Sequence, residues 1–211
     1  DPAALLDALT DPAVRIVTLT VTEKAYLRNA TGALDANHHD IVWDLSHPDR
    51  PKTVYGFLLE AIKRRNAEGA SPFTVLSCDN LPANGSTLKA LLVAYAGLND
   101  AALQRFVADK IAFPSSMVDR IVPATTDEDR ARISGRLGVT DAWPVTTEPF
   151  LQWVVEDDFP SGRPQWERFG VEMVRDVAPF EDMKLRLLNG SHSSIAYLGL
   201  LRRFPRRSEI H

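Results

Sequence analysis

The fold of this chain is limited chiefly by two short apolar runs. Each run precedes a segment with helical periodicity. Residues 14–22 and 73–78 are rich in β-branched and apolar side chains, which predicts two buried strands. Helical periodicity follows at residues 53–65 and again from Ser86, a plausible N-cap, through Leu98. Strands that alternate with helices predict an α/β fold, in which the strand ends face a ligand crevice.

The rest of the chain fits the same α/β pattern. Helices are predicted at residues 2–10, 101–110 and 126–134, and strand segments within 113–123, 145–155 and 171–177. Residues 28–50 are polar and rich in turn residues, which predicts a loop. This loop contains His38, His39 and Asp40, but neighbouring histidines point apart on most backbones and no further ligand lies at suitable spacing. We therefore predict a solvated loop and no metal site.

Composition excludes several classes of protein. The 211 residues are 45% hydrophobic and 25% charged, as in ordinary globular domains. A net charge of −4 argues against a general nucleic-acid binder. The single cysteine, Cys78, excludes an internal disulfide framework and favours a reducing compartment, the cytoplasm. No apolar run approaches the roughly 18 residues of a spanning helix, so we expect no membrane association through such a segment.

The run richest in side chains suited to catalysis extends from Lys184 to Gly199. On a helix of about 100° per residue, Lys184, His192 and Asn189 fall at roughly 0°, 80° and 140°. A lysine that is kept from water can act as a base, while Asn and His can hold a developing alkoxide. That set suits an alcohol that loses a proton and a hydride. Alternatively, Asn189-Gly190 ends one helix, His192 begins the next and Lys184 is a surface charge.

Five motifs in the same order resemble the mannitol dehydrogenase family, the polyol-specific long-chain dehydrogenases. The resemblance runs from about residue 14 to Gly199. The motifs are Leu19–Tyr26, Phe73–Gly85, Phe113–Arg120, Thr147–Trp153 and Met183–His192.

The resemblance implies two domains. Residues 1–175 would be the back part of a Rossmann-like dinucleotide-binding domain, and residues 176–211 the first helix of a mostly helical substrate domain. No Gly-x-Gly turn for a pyrophosphate occurs in the sequence, and the arginine-rich end at 202–207 does not match the family's continuation. We therefore expect a fragment, one that exposes apolar surface, is poorly stable or associates, and need not be active when isolated.

The resemblance also implies a reaction and the residues that perform it. The implied enzyme is an NAD(P)-dependent oxidoreductase that interconverts a polyol or sugar acid and its 2-keto sugar, without a metal. Lys184 would be the general base, Asn80 and Asn189 would hold the alkoxide, and His192 would orient the substrate. Further residues implied near the substrate and cofactor are Val118, Asp119 and Glu181, the last of which either passes on the proton of Lys184 or forms an ordinary ion pair with it.

Substrate and cofactor are narrowed but not decided by the resemblance. Mannitol with fructose is the preferred pair, mannonate with fructuronate the next, and arabinitol with xylulose the third. NAD is the expected cofactor, with NADP possible, and the full-length protein is expected to be a monomer. The alternative is a non-catalytic fragment that binds no dinucleotide and acts at most as an interaction module.

Overall fold

The protein is described by a computed structural model that covers residues 1–201, apart from the side chains of Asn189 and Leu201. The predictions for residues 202–211 lie outside the described residues. The described residues contain five strands: β1 Ile16–Leu19, β2 Thr74–Ser77, β3 Ser116–Asp119, β4 Gln152–Glu156 and β5 Glu172–Val174. The helices before β3 are α1 Pro2–Thr10, α2 His39–Ser46, α3 Val54–Ala67, α4 Asn84–Asn99 and α5 Ala101–Lys110.

Between β3 and residue 201 there are three further helices, and the described part of the chain also contains shorter helical segments. The three are α6 Asp127–Leu137, α7 Ala178–Met183 and α8 Gly190–Leu201. A π-helical segment, Lys184–Asn189, joins α7 to α8, and single 3₁₀ turns lie at Glu23–Tyr26 and Trp166–Phe169. Strands and helices alternate as the sequence predicts, so the α/β class is confirmed. In the part of the chain that the structure describes, no helix is both long and apolar enough to cross a membrane.

The strands form two small sheets whose neighbouring edges are linked. Strands β1 and β2 are parallel, whereas β4 lies between β3, to which it is antiparallel, and β5, to which it is parallel. The Val75 N–H donates to the Ala112 carbonyl at 3.0 Å, and the Ser116 hydroxyl donates to the Ser77 carbonyl at 2.6 Å. The later residue of β2, Ser77, bonds the later residue of the facing segment, Ser116, so β2 and β3 run in the same direction. The C-terminal ends of β1, β2 and β3 therefore lie at one edge.

The main core lies between the parallel pair and helices α3 and α4. All four residues of β2 are buried, which explains why the apolar Val75 and Leu76 stand side by side instead of alternating with exposed polar residues. A second, smaller core beneath the other sheet consists of Met117, Val154 and Val177. The largest fully buried side chains of the main core are Tyr26, Tyr55, Phe73, Ile41, Leu58, Ile62, Leu88 and Leu92.

The prediction of a loop over residues 28–50 is wrong in its second half, where helix α2 forms. Its N-cap is His38, whose Nδ1 accepts the Asp40 N–H at 3.2 Å. Histidine is an uncommon cap, so the start signal is weak in the sequence. The helix is stabilised from inside, because Ile41 and Asp44 are buried and the Asp44 carboxylate accepts both the N–H and the hydroxyl of Thr53.

Two further predictions about helix ends are corrected. Helix α4 begins at Asn84 rather than after Ser86, because Ala83 takes a left-handed conformation (φ 46°) that starts the helix earlier. The alternative in which Asn189-Gly190 separates two helices is also wrong. Gly190 is helical (φ −62°), and its N–H bonds the Leu185 carbonyl five residues back, so the helix continues through a π-turn.

Candidate active site

A cleft of about 610 Å³ lies at the C-terminal ends of the three neighbouring strands. In the α/β folds this edge is the usual position of a ligand site. The lining includes residues that follow β1, β2 and β3, and residues of the π-segment and α8. Among them are Cys78, Asn80, Val118, Asp119, Lys184 and His192.

The Lys184 amine is the best-defined group of the cleft. It donates to the Asn80 side-chain oxygen at 2.9 Å and to the Val118 carbonyl at 2.5 Å. The Asp119 carboxylate is 3.8 Å away, and the side chains of Lys184 and Asp119 are only 12% and 15% exposed. Lys184 is therefore a largely buried group held by two strand ends, not the surface charge of the alternative interpretation.

Asn80 owes its position to the residue before it, Asp79. The Asp79 carboxylate accepts the backbone N–H groups of Val21 (3.2 Å) and Thr22 (2.9 Å) and the Tyr26 hydroxyl (2.9 Å). Thr22 has φ 69°, a conformation that costs a β-branched residue energy and that these bonds hold in place. Asp79 thus ties the loop after β1 to the end of β2.

Tyr26 supports the end of β2 from inside the core. It is the last residue of the 3₁₀ turn Glu23–Tyr26 after β1, and its side chain is fully buried. Its hydroxyl lies 2.6 Å from the Ser77 hydroxyl. Burial, above all, raises the pKa of Tyr26 far above its ordinary value, with the Asp79 charge acting in the same direction. The phenol therefore stays protonated and supports the site from inside.

Glu181 lies one helical turn before Lys184, and the two line a smaller cavity of about 170 Å³ together with Asn80. Both Glu181 carboxylate oxygens accept the Ala83 N–H, at 3.0 and 3.2 Å. Burial, first, and neighbouring carboxylates raise the pKa of Glu181, while the Ala83 N–H opposes this shift. Within the described residues the ionic partner of Lys184 is Asp119, so the simple Glu181–Lys184 ion pair is not formed.

His192 lines the same cleft as Lys184, and the π-turn helps to bring them to one side. A π-turn advances by about 80° per residue instead of about 100°, because its hydrogen bonds span five residues rather than four. Over the π-segment this reduces the offset between Lys184 and His192 from roughly 80° to roughly 20–40°. The side chain of Asn189, the third residue predicted on this face, lies outside the described part of the chain.

The other residues with reactive side chains give weaker sites. Cys78 lines the cleft, but burial raises the pKa of its thiol to about 11, so the thiol stays protonated. The rings of His38 and His39 do not point apart as expected but stack with centroids 4.4 Å apart, close to Asp40. The Lys52 ammonium lies 3.7 Å from the Asp40 carboxylate, and the His38 Nδ1 serves as the helix cap, so both potential ligands already have partners.

The chain belongs to the mannitol dehydrogenase family. Residues 1–168 match the mannitol dehydrogenase Rossmann domain, and residues 176–205 match the mannitol dehydrogenase C-terminal domain. The resemblance expected from the five motifs and the Rossmann-type fold are thereby confirmed. The match to the family covers nearly the whole chain rather than one motif.

Three relatives illustrate the range of the family. A mannitol 2-dehydrogenase of Cereibacter sphaeroides is 51% identical over 93% of this chain and 41% of its own length. A D-mannonate oxidoreductase of Escherichia coli is 47% identical over 93% and 41%. The Pseudomonas fluorescens mannitol 2-dehydrogenase in a ternary complex with NAD and D-mannitol is 46% identical, with a TM-score of 0.86 over 97% of this chain and 42% of that one. This chain therefore spans about two fifths of the length of these relatives.

Proposed function

We propose that this chain carries catalytic groups of an NAD(P)-dependent dehydrogenase that interconverts a polyol or a sugar acid and its 2-keto sugar. The observation that carries the proposal is the position of the Lys184 amine, largely buried at the strand ends beside Asn80, Val118 and Asp119. Membership of the family and the reactions named for its relatives support the same class of activity.

In this proposal Lys184 is the general base. Its neutral amine removes the proton of the C2 hydroxyl, a step in which a well-placed base contributes about 10²–10⁴-fold to the rate. The oxygens of Asn80 and Val118 restrict where the amine nitrogen can lie. A fixed nitrogen meets the substrate hydroxyl in a repeatable geometry, which is the condition for efficient proton transfer.

Asn80 and His192 are the groups that hold the reacting oxygen. An amide N–H of Asn80 donates to this oxygen as negative charge develops, and the His192 ring donates to the same oxygen or its neighbour. Both residues line the cleft that contains the Lys184 amine. Asn189 joins them in the proposal through its place in the family motif alone.

The cleft suits the nicotinamide end of a dinucleotide. One wall is apolar, and a flat ring can pack on it beside the Lys184 amine; its residues are Val118, Ile121, Val122 and Leu151. When bound, NAD or NADP supplies a ring carbon that accepts the hydride. Asp119 lies at the junction of this wall and the amine, which fits a residue close to both cofactor and substrate. No residue for the pyrophosphate is assigned, since the sequence contains no Gly-x-Gly turn.

Glu181 is proposed to pass the proton of Lys184 towards solvent. The two side chains line the same small cavity. Burial raises the pKa of Glu181, so this carboxyl holds a proton more readily than an ordinary exposed carboxyl does. Glu181 is therefore better suited to this task than its neighbour Asp182, whose side chain is exposed and lies 3.6 Å from the Arg186 guanidinium.

Mannitol with fructose is the substrate pair we favour, followed by mannonate with fructuronate and by arabinitol with xylulose. The test uses the longest gene product that contains these 211 residues. NADH absorbance is followed with mannitol, mannonate and arabinitol separately, with a chelator present. We expect turnover that survives chelation, falls by about 10²–10⁴ in Lys184→Ala, and is unchanged in the control Lys89→Ala, an exposed lysine of α4.

Each contrary result would remove a different part of the proposal. Full turnover in Lys184→Ala would exclude this lysine as the base. NADH binding without turnover on any of the three substrates would reject the substrate class. Absence of both turnover and NADH binding would favour the interaction module.

A further inference from the structure

We infer that Asn84 is a positioning residue, which sets the distance between the two strand ends that hold the Lys184 amine. The inference rests on the proposed function of Lys184 and extends it to a residue outside the cleft lining. Asn84 is the first residue of α4, and its side chain is completely buried. Asn84 lines neither the cleft nor the smaller cavity, so any effect of Asn84 on the reaction passes through other residues.

The Asn84 amide joins the end of β2 to the start of β3. Its Nδ2 donates to the Asp79 carbonyl at 3.0 Å and to the Ser116 carbonyl at 2.8 Å. Its Oδ1 accepts the Ser116 N–H at 2.9 Å. Both donor hydrogens and the acceptor are thus used, and all three partners are backbone groups of the two strand ends.

A side chain is needed here because the two sheets have no regular ladder between them at this point. Strands β2 and β3 belong to different sheets, and the link through the Ser116 hydroxyl to the Ser77 carbonyl is the neighbouring contact. Asn80 directly follows Asp79, and Val118 lies two residues after Ser116. The Lys184 amine bonds one group from each end, so the Asn84 bridge determines whether both can be reached at once.

The Asn84→Asp substitution tests this inference with little change in shape. The carboxylate can still accept the Ser116 N–H, but it meets the Asp79 and Ser116 carbonyls with no hydrogen to donate. We expect the strand ends to separate and kcat to fall about hundredfold, the effect of a misplacement of about 1 Å. The dissociation constant of NADH, from fluorescence titration, should change by less than about threefold.

Asn99→Asp is a matched control on the same helix. Asn99 lies at the exposed C-terminal end of α4, far from the strand ends. A carboxylate is favoured at the start of a helix and disfavoured at its end, so the helix dipole alone predicts that Asn99→Asp is the more harmful change. The bridge predicts the reverse order for kcat. Equal kcat values in the two variants would overturn the inference.

A double-mutant cycle separates positioning from general loosening. If Asn84 acts through the amine, Asn84→Asp should reduce the residual kcat of Lys184→Ala by no more than about threefold, because interacting sites are not additive. A further hundredfold loss in the Lys184→Ala background would overturn the inference. Should Asn84→Asp fail to fold, Ser116→Ala provides a second variant. It removes the hydroxyl that donates to the Ser77 carbonyl and that accepts from the Asn84 amide at 3.4 Å. It should lower kcat about tenfold, and an unchanged kcat would count against the bridge.

A chemical readout is independent of turnover. The Lys184 amine is acylated with acetic anhydride, and its labelling is compared by mass spectrometry with that of the exposed Lys89. We expect slow labelling of Lys184 in the wild type and in Asn99→Asp, and labelling about tenfold faster in Asn84→Asp. If the wild type has no dehydrogenase turnover but shows this labelling pattern, the proposed function fails while the bridge stands. Identical labelling in all three proteins would overturn the bridge.

Discussion

The two walls of the cleft differ in how they are built. The strand wall consists of the ends of β2 and β3 and lies above a core in which Tyr26 and Leu88 are completely buried. The helix wall, residues 178–201, has most of its surface in solvent; Leu187 is 67% exposed and Tyr197 70%. The contacts between the walls include those of Glu181 with Ala83 and of Lys184 with Asn80, Val118 and Asp119.

The geometry of the site therefore originates mainly in the strand wall. Hydrogen bonds among buried backbone groups hold the strand wall, and such networks resist displacement because each broken bond leaves an unpaired polar group. The helix wall supplies the amine and the imidazole but receives its position from the strand wall. Apart from the loss of the Lys184 amine itself, substitutions in the strand wall should therefore harm the site more than comparable substitutions in the helix wall.

The largest expected effect compares one residue from each wall. Asn80→Ala should lower turnover about 10³-fold, because it removes an oxyanion donor and also the acceptor that positions the Lys184 amine. His192→Ala should lower turnover only about 10²-fold, the lower end of the range for the loss of one donor. Steady-state kinetics of both variants, with the exposed Asn66→Ala as control, measure the ratio. A larger loss in His192→Ala would reverse the roles of the two walls.

A change beneath the strand wall should cost global stability. A Cβ at Gly85 would meet the Phe113 carbonyl oxygen and the Pro114 backbone in the chain before β3. We expect Gly85→Ala to lower the free energy of unfolding by about 2–3 kcal/mol, as overpacking does. Gly135→Ala in α6 is the control, since no atom lies within 4 Å and alanine should stabilise the helix by about 0.5–1 kcal/mol. Denaturant titration measures both, and equal stabilities would contradict the close approach.

Removing one hydroxyl tests the support under the loop after β1. Tyr26→Phe deletes the bonds to the Ser77 hydroxyl and to the Asp79 carboxylate. The expected loss is about 1–3 kcal/mol, because buried partners are left with fewer bonds. The exposed Tyr197→Phe should change stability by less than about 0.5 kcal/mol. Thermal denaturation of both variants gives the comparison. If Tyr26→Phe left the stability unchanged, the network would not stabilise the strand wall.

The smallest effect concerns the contact between the walls at Glu181. Since the folded protein raises the pKa of Glu181, the folded state binds the proton more tightly than the unfolded state does. Stability contributed by this group is thus present at low pH and lost as the pH rises through the raised value. Glu181→Gln keeps an acceptor for the Ala83 N–H and should raise Tm slightly at pH 7, with no difference from wild type below about pH 4.

Asp182→Asn provides the matched control for this pH series, because Asp182 is the exposed neighbour of Glu181. Its Tm difference from wild type should remain small at every pH. If the Tm difference of Glu181→Gln grew on acidification instead of vanishing, the direction of the Glu181 shift would be wrong.

The sequence predicted those parts of the fold whose signals are local. The buried strands β1 and β2, the amphipathic helix α3 and the helix α5 follow from runs of apolar residues and from helical periodicity. Helix α2 was missed because its stability comes from Asp44 and its bonds to Thr53, a contact nine residues away. The start of α4 was misplaced because the left-handed Ala83 has no signature in the sequence.

The candidate site divides in a similar way. Lys184, Asn80, Asp119 and His192 were predicted from the motifs, and the structure brings them to one cleft. Asp79, Asn84 and Ser116 were missed as supporting residues. Asn and Asp after a strand are common in turns, and only the tertiary structure shows that their bonds cross to other strands.

Residue identity and short-range periodicity were enough to predict the family, the α/β class and the kinds of side chain available for proton transfer. The packing of the elements places the Lys184 amine between two strand ends, bonds Glu181 to Ala83 rather than to Lys184, and lets Asn84 join β2 to β3. Such contacts bring together residues up to 104 positions apart. Their geometry depends on how whole elements pack, which no local pattern encodes.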